Sequence, residues 1–127
     1  MEGRSQTVAV VDDDSSMRRS IQRLLNAHGL LAEGFPSAEA FLSRVSGSPV
    51  ACVVLDIHLP GMSGLELQRR LMEASPQLPV ILITGKSDDA TRKESFRFGC
   101  VAYLLKPFAP ESLIAAVWNA ISGLPSG

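Results

Sequence analysis

Apolar residues gather in five short runs, at Thr7 to Val11, Leu30 to Phe35, Val50 to Leu55, Pro79 to Ile83 and Val101 to Leu105. Their length and strand-like composition predict β-strands. The central runs Val50 to Leu55 and Val80 to Ile83 are apolar without alternation, as strands must be when helices cover both faces. Between the runs the apolar spacing becomes helical. Ser15 or Ser16 can cap a first helix with Met17, Ile21, Leu24 and Leu25 on one face, and Gly29 marks its end. Ser37 can cap a second, with Ala38, Phe41, Leu42 and Val45 as its inward stripe. A third, from about Ser63 to Ala74, carries Leu65, Leu67, Leu71 and Met72 and stops before Pro76. The fourth, about Ser87 to Phe98, has a poor apolar period: Ala90, Phe96 and Phe98 make no single face, and Arg92 and Lys93 lie among them. Pro110 and Glu111 open the fifth, where Leu113, Ile114, Val117 and Ile121 can turn inward. Five strand-helix repeats predict an α/β fold, a five-stranded doubly wound parallel sheet with five helices.

Composition narrows the class without changing that picture. The chain has 127 residues, 46% of them hydrophobic, which suits one domain with a sufficient core and no disulfide or metal staple. The 12 basic and 13 acidic side chains nearly cancel, and a pI near 6.1 gives no global field for holding nucleic acid or an anionic membrane. Cys52 sits in an apolar run and Cys100 beside Gly99, so both read as small buried hydrophobes and not as bridge partners. The N-terminal residues carry no apolar stretch of signal-peptide length, and no run approaches a membrane span. The expected compartment is a reducing cytoplasm. The final residues, 123–127, read as a frayed tail or the start of a linker.

In a doubly wound sheet ligands gather at the carboxyl ends of the strands. There the sequence places Asp12, Asp13 and Asp14 after the first run, Asp56 after the third, Thr84 after the fourth, and Lys106 with Pro107 after the fifth. Carboxylates crowded into one cleft repel and raise one another's pKa unless a cation joins them. With oxygen ligands and no His or Cys cluster of suitable spacing, Mg²⁺ is the expected ion, bound by Asp12, Asp13 and Asp56. An Asp triplet after a strand can also be a solvated turn with a helix cap, a role open to Asp14. Asp56 closes an apolar strand and is followed by a loop, Leu59 to Gly64, that Pro60, Gly61 and Gly64 shape. A carboxylate there can act as nucleophile toward phosphorus, with a hydroxyl from Thr84 and a point charge from Lys106 on the remaining oxygens. Taken singly, Lys106 reads as a solvated lysine and Thr84 as a strand-end residue. Four such groups at four strand ends point to a shared site.

These residues resemble those of the receiver domain of a two-component response regulator. The matching segments are Asp12 and Asp13 after Val8 to Val11, Asp56 within Val53 to Gly64, Thr84 within Ile81 to Gly85, and Lys106 within Ala102 to Phe108. The resemblance covers about residues 6 to 122. Within the family, the segments Ile83 to Gly85 and Ser37 to Leu42 are most similar to FixJ-like regulators, whose full-length members usually add a helix-turn-helix DNA-binding domain. The resemblance implies a flavodoxin-like (βα)5 fold and a phosphoacceptor that is not itself an enzyme beyond slow self-phosphorylation and autodephosphorylation. Asp56 would accept a phosphoryl group from a phosphohistidine on a sensor histidine kinase. Asp13 and Asp56 would hold Mg²⁺ directly, Asp12 through water, and the backbone carbonyl of His58 would complete the protein ligands. Thr84 and Lys106 would contact the phosphoryl oxygens, the bond before Pro107 would be cis, and Thr84 with Tyr103 would form the switch. Tyr103 can equally be a half-buried strand residue, and the His58 ring a rim group.

Some features depart from the family pattern. Phe98 stands before Gly99 where a small alanine is usual, and Arg92 and Lys93 occupy a helix that is usually more apolar. Two rival classes remain: a degenerate receiver that binds partners without phosphorylation, and an aspartyl-nucleophile phosphatase. The intact set Asp13, Asp56, Thr84 and Lys106 disfavours the first. The second needs an acid two residues after the nucleophile, where His58 stands. Phosphorylation is further expected to promote a homodimer through the fourth helix, fifth strand and fifth helix.

Overall fold

The computed structural model describes residues 6–44, 49–86 and 88–123. Strand and helix alternate throughout: β1 Thr7–Val11, α1 Ser15–Ala27, β2 Leu31–Phe35, α2 Ala38–Leu42, β3 Cys52–Asp56, α3 Gly64–Ala74, β4 Val80–Thr84, α4 Asp89–Arg97, β5 Ala102–Leu105 and α5 Pro110–Ser122. The strands form one parallel sheet in the order β2-β1-β3-β4-β5. This is the doubly wound, flavodoxin-like architecture expected. Its chain order reverses between β1 and β3, whose register pairs Val11 with Leu55. Asp12 and Asp56 therefore meet at the switch point, where an open α/β sheet leaves a crevice.

The pleat divides the core in two. Ala9, Val11, Val53, Leu55, Val80 and Leu82 face Phe41 of α2 and Leu67 and Leu71 of α3. Val8, Val10, Cys52, Val54, Ile81 and Ile83 face Ile21 and Leu25 of α1 and Leu113 and Val117 of α5. All five residues of β3 and of β4 are buried, which accounts for their unbroken apolar runs. At the sheet edge, Leu31 of β2 is instead exposed. Among the described residues, α4 contributes no apolar side chain to either core cluster. Its poor period was a true reading of its surroundings.

Several boundaries differ from the sequence expectation. Asp56 and Thr84 are the last residues of their strands, not the first after them. Asp14, and not Ser15 or Ser16, caps α1: its carboxylate accepts the Ser16 and Met17 N–H groups at 3.0 and 3.2 Å. A charged carboxylate also complements the positive end of the helix dipole, an advantage a hydroxyl lacks. Ser37 caps α2 as expected, but that helix has five residues, too few turns for a long stripe; Ala38 and Phe41 are buried while Leu42 is exposed. Ser63 is the cap of α3 and not its first residue, and Gln68 takes the inward place expected of Met72, which is exposed. Asp88 caps α4. Val45, Ser87 and residues 124–127 of the expected tail lie outside the described residues.

Cys52 and Cys100 are buried and unbridged, and burial pushes their thiols up to about 12 and about 11. No helix among the described residues is long and apolar enough to cross a membrane.

Leu82 is fully buried in the middle of β4, so Leu82→Ala should cost about 3 kcal/mol in the lost transfer energy and the cavity left behind. Urea denaturation should show a lower midpoint at an unchanged slope. Leu42→Ala, on the exposed flank of α2, should stay within about 0.5 kcal/mol of wild type.

Candidate functional site

The carboxyl edge of the sheet carries the charged groups singled out above. Asp12 follows β1 directly and is fully buried. Its backbone N–H donates to the Phe35 carbonyl at 3.1 Å, continuing the ladder with β2, and its Oδ1 accepts the Asp14 N–H at 3.0 Å. The Arg18 guanidinium donates to its carbonyl at 2.8 Å, so α1 reaches back to hold the turn. Asp56 is nearly buried at the end of β3, and its Oδ1 accepts the His58 N–H at 3.0 Å. Asp13 is exposed on the rim. One oxygen from each of Asp12, Asp13 and Asp56 can be chosen so that all lie within 4.8 Å of one another.

Lys106 enters from the far side. It follows β5, its N–H donates to the Thr84 carbonyl at 2.7 Å, and its bond to Pro107 is cis, as the resemblance implied. Its Nζ lies 3.1 Å from Asp12 Oδ2 and 3.2 Å from Asp56 Oδ2. One ammonium thus bridges the two buried carboxylates. Burial raises the Asp12 pKa and the charge of Asp56 adds to that; the Asp14 N–H and Lys106 pull it down without cancelling the rise. For Lys106, burial favours loss of the proton, but the hydrogen bond and charge of Asp12, with those of Asp56, outweigh it and hold the ammonium above its usual value. Three carboxylates against one ammonium leave the crevice short of positive charge. An oxygen-only cluster of this kind is consistent with a metal site and suits a hard divalent cation.

The loop after Asp56 is held by its glycines and by α2. A Cβ on Gly64 would lie 2.2 Å from the Asp56 carbonyl oxygen and 2.6 Å from Ile57 Cα, so only glycine lets α3 start this close to the strand end. The Gly64 N–H donates to the Ile57 carbonyl at 2.8 Å. Gly61 has φ +71°, and the next residue, Met62, donates its N–H to Glu39 Oε2 at 2.9 Å. That hydrogen bond holds the Glu39 carboxyl below its ordinary value. Neither Arg18 nor Glu39 was identified from sequence. Each acts on a backbone group brought near only by folding, 23 residues away in the case of Glu39, and no local pattern announces it.

Asp12, Asp13, Asp56 and Lys106 therefore converge. Thr84 ends the neighbouring strand, but its hydroxyl donates to the Lys86 carbonyl at 2.7 Å and accepts the Lys86 N–H at 3.2 Å, engaging the following loop. His58 is exposed; its N–H serves Asp56, and its Nε2 lies 3.4 Å from the Lys86 carbonyl oxygen. Tyr103 sits apart, half-buried on β5, with its ring centroid 6.2 Å from that of Phe96 and 5.9 Å from the Arg92 guanidinium carbon.

Comparison with known proteins agrees with this geometry. A family model described as the response regulator receiver domain matches residues 8–118. The response regulator protein TodT of Pseudomonas putida is 35% identical over 125 residues, covering 98% of this chain and 55% of that protein. The transcriptional regulatory protein FixJ of Bradyrhizobium diazoefficiens is 36% identical over 114 residues, covering 90% of this chain and 56% of that protein. The chain thus spans about half the length of these curated relatives. A CheY-like response regulator receiver domain protein from Methanospirillum hungatei superposes with a TM-score of 0.88 at 25% identity, over 94% of this chain and 96% of that one.

The bridge by Lys106 predicts a pH-dependent stability effect. Lys106→Met leaves Asp12 buried without its ammonium partner, which should cost on the order of 2 kcal/mol near neutral pH. The Asp12 pKa is raised, so the proton neutralising it binds more tightly in the folded state; as pH falls through that raised value the uncompensated charge disappears. Thermal melts of the two proteins should therefore converge toward acid pH and separate on the neutral side.

Proposed function

Because the chain belongs to the response regulator receiver domain family, we propose that it is the phosphoacceptor of a two-component signalling pathway, taking its phosphoryl group from a sensor histidine kinase onto Asp56. The observation that carries this reading is the Asp56 carboxylate at the mouth of the acidic crevice, with Lys106 Nζ 3.2 Å from its Oδ2. The oxygen of Asp56 forms a bond to phosphorus as the bond from phosphorus to the donor imidazole nitrogen breaks, and the neutralised histidine leaves with the kinase. Lys106, already between two carboxylates, stays close to the new phosphoryl oxygens and offsets their charge. Thr84 joins them by giving up its hydrogen bond to the Lys86 carbonyl. The His58 N–H restrains the nucleophilic carboxylate through Oδ1, while Oδ2 faces the Lys106 ammonium.

Mg²⁺ fits the oxygen-only cluster, and Asp13 and Asp56 would hold it, with Asp12 and the His58 backbone carbonyl assisting. Its chemistry is to neutralise negative charge as the phosphoryl group arrives. Movement of Thr84 makes room for Tyr103 to turn inward, and the surface of α4, β5 and α5 then changes its affinity for a second copy of the chain. Residues 6–122 act as the receiver module. The relatives are longer regulators, which supports a DNA-binding effector domain downstream as the output and leaves this module without direct nucleic-acid contact. A near-zero net charge of −1 supports that division of labour, and the two buried, unbridged cysteines support a reducing, cytoplasmic setting.

Acetyl phosphate with Mg²⁺ should add one phosphoryl mass to the wild type and none to Asp56→Asn, read by intact mass; equal labelling of the variant overturns the assignment. Sedimentation of the labelled wild type should show a heavier species beside the monomer.

Millimolar Mg²⁺ should raise the thermal midpoint, because the ion binds only the folded crevice. Asp13→Asn should lose both that rise and the labelling, and an undiminished Mg²⁺ response would remove Asp13 from the metal site.

A further inference from the structure

Helix α4 is attached to the protein in a way unlike the others. Its single buried residue is Ser95, and Phe96 is 46% exposed. The helix ends in a Schellman arrangement: Gly99, at φ +86°, donates its N–H to the Phe96 carbonyl at 3.0 Å, and Cys100 donates to the Ser95 carbonyl at 3.2 Å. The same Ser95 carbonyl receives a second donor from another helix, Gln68 Nε2 of α3 at 2.8 Å. Gln68 is 1% exposed and stands at an inward position of α3 beside Leu67 and Leu71, where an apolar residue would be ordinary. Its Oε1 is buried and has no hydrogen-bond partner among the described residues. A buried amide that uses one of its two ends costs more than an apolar side chain of the same shape, so packing alone does not account for Gln68.

We propose that Gln68 is a positioning residue for α4: its hydrogen bond to the Ser95 carbonyl sets the resting place of the helix, and that bond is the contact surrendered when α4 moves. A single directional bond is either made or broken, which suits an element with two discrete positions. On the other flank Arg92 lies over the rings of Phe96 and Tyr103, at 5.6 and 5.9 Å from their centroids, so a shift of α4 about this anchor reaches Tyr103 directly. The resting role of Gln68 stands on these contacts alone; the release step rests on the phosphoacceptor reading.

Gln68→Met keeps the length of the side chain while removing both the donor and the unpaired acceptor. Amide exchange within residues 89–97 of the untreated variant should quicken about fivefold to tenfold, the loss expected for one hydrogen bond, while amides of β1 and β3 exchange no faster than in wild type. A residue that merely supports the core would move all of these amides together, so uniform acceleration, or unchanged exchange in α4, overturns the anchor. Gln68→Leu should repeat the local pattern if the amide and not the side-chain shape is responsible. With Mg²⁺ and beryllofluoride added, wild-type α4 should exchange faster and the variant should change less, having already lost the anchor. An equal change in both proteins overturns the release step. If wild-type α4 does not respond although acetyl phosphate labels the protein, the release step is overturned; if the protein is not labelled, the phosphoacceptor reading fails, and in either case the untreated comparison still decides the role of Gln68.

Discussion

Crowding of negative charge at the carboxyl edge of the sheet is the constraint to which the rest of the site answers. Asp12 is buried beside β2, Asp56 closes β3, and neither can move away without breaking the strand ladder that places it. Lys106 relieves part of the repulsion from across the crevice, and its own charge is maintained by the carboxylates it relieves. The three groups come from three strands distant in sequence, so the charge balance also ties β1, β3 and β5 together at one end of the sheet. The balance is incomplete because Asp13 adds a further carboxylate at the rim. A crevice short of positive charge is consistent with a divalent-cation site, and a cation held there would favour the arrival of an anionic group. The same imbalance therefore links fold stability to the proposed chemistry.

The backbone around Asp56 and the seat of α4 are held in different ways. On one side the backbone is tightly specified: Gly64 brings α3 against the end of β3, Glu39 holds Met62, and the His58 N–H restrains the carboxylate. The nucleophilic role proposed for Asp56 would need this kind of restraint, since a misplaced oxygen loses the alignment on which in-line transfer depends. On the other side, β5 has only four residues, and α4 meets its neighbours through a polar bond and an exposed ring stack. Thr84 lies between the two regimes, at the end of a fully buried strand but with its hydroxyl engaged by the loop that leads to α4. In the proposed mechanism it is the residue that would pass an event at the crevice to the side of α4.

The sequence by itself determined the architecture and the chemical identity of the site. Short, strand-like apolar runs alternating with helical segments read as parallel strands covered on both faces, and polar groups at their carboxyl ends then lie along one edge of the sheet; Asp12, Asp56, Thr84 and Lys106 were legible for that reason. Even the weak period of α4 was informative, because a helix without an apolar face cannot be held by the core. Tertiary structure alone decided which groups touch. Among the caps the sequence left open for α1, the folded chain takes Asp14 over Ser15 and Ser16, and its carboxylate adds a charge that complements the helix dipole. Arg18, Glu39 and Gln68 found partners that are backbone atoms. Every residue offers the same backbone N–H and carbonyl, so a side chain seeking one leaves no complementary residue type elsewhere in the sequence to reveal the pair, and only the folded chain shows which carbonyl or N–H lies within reach.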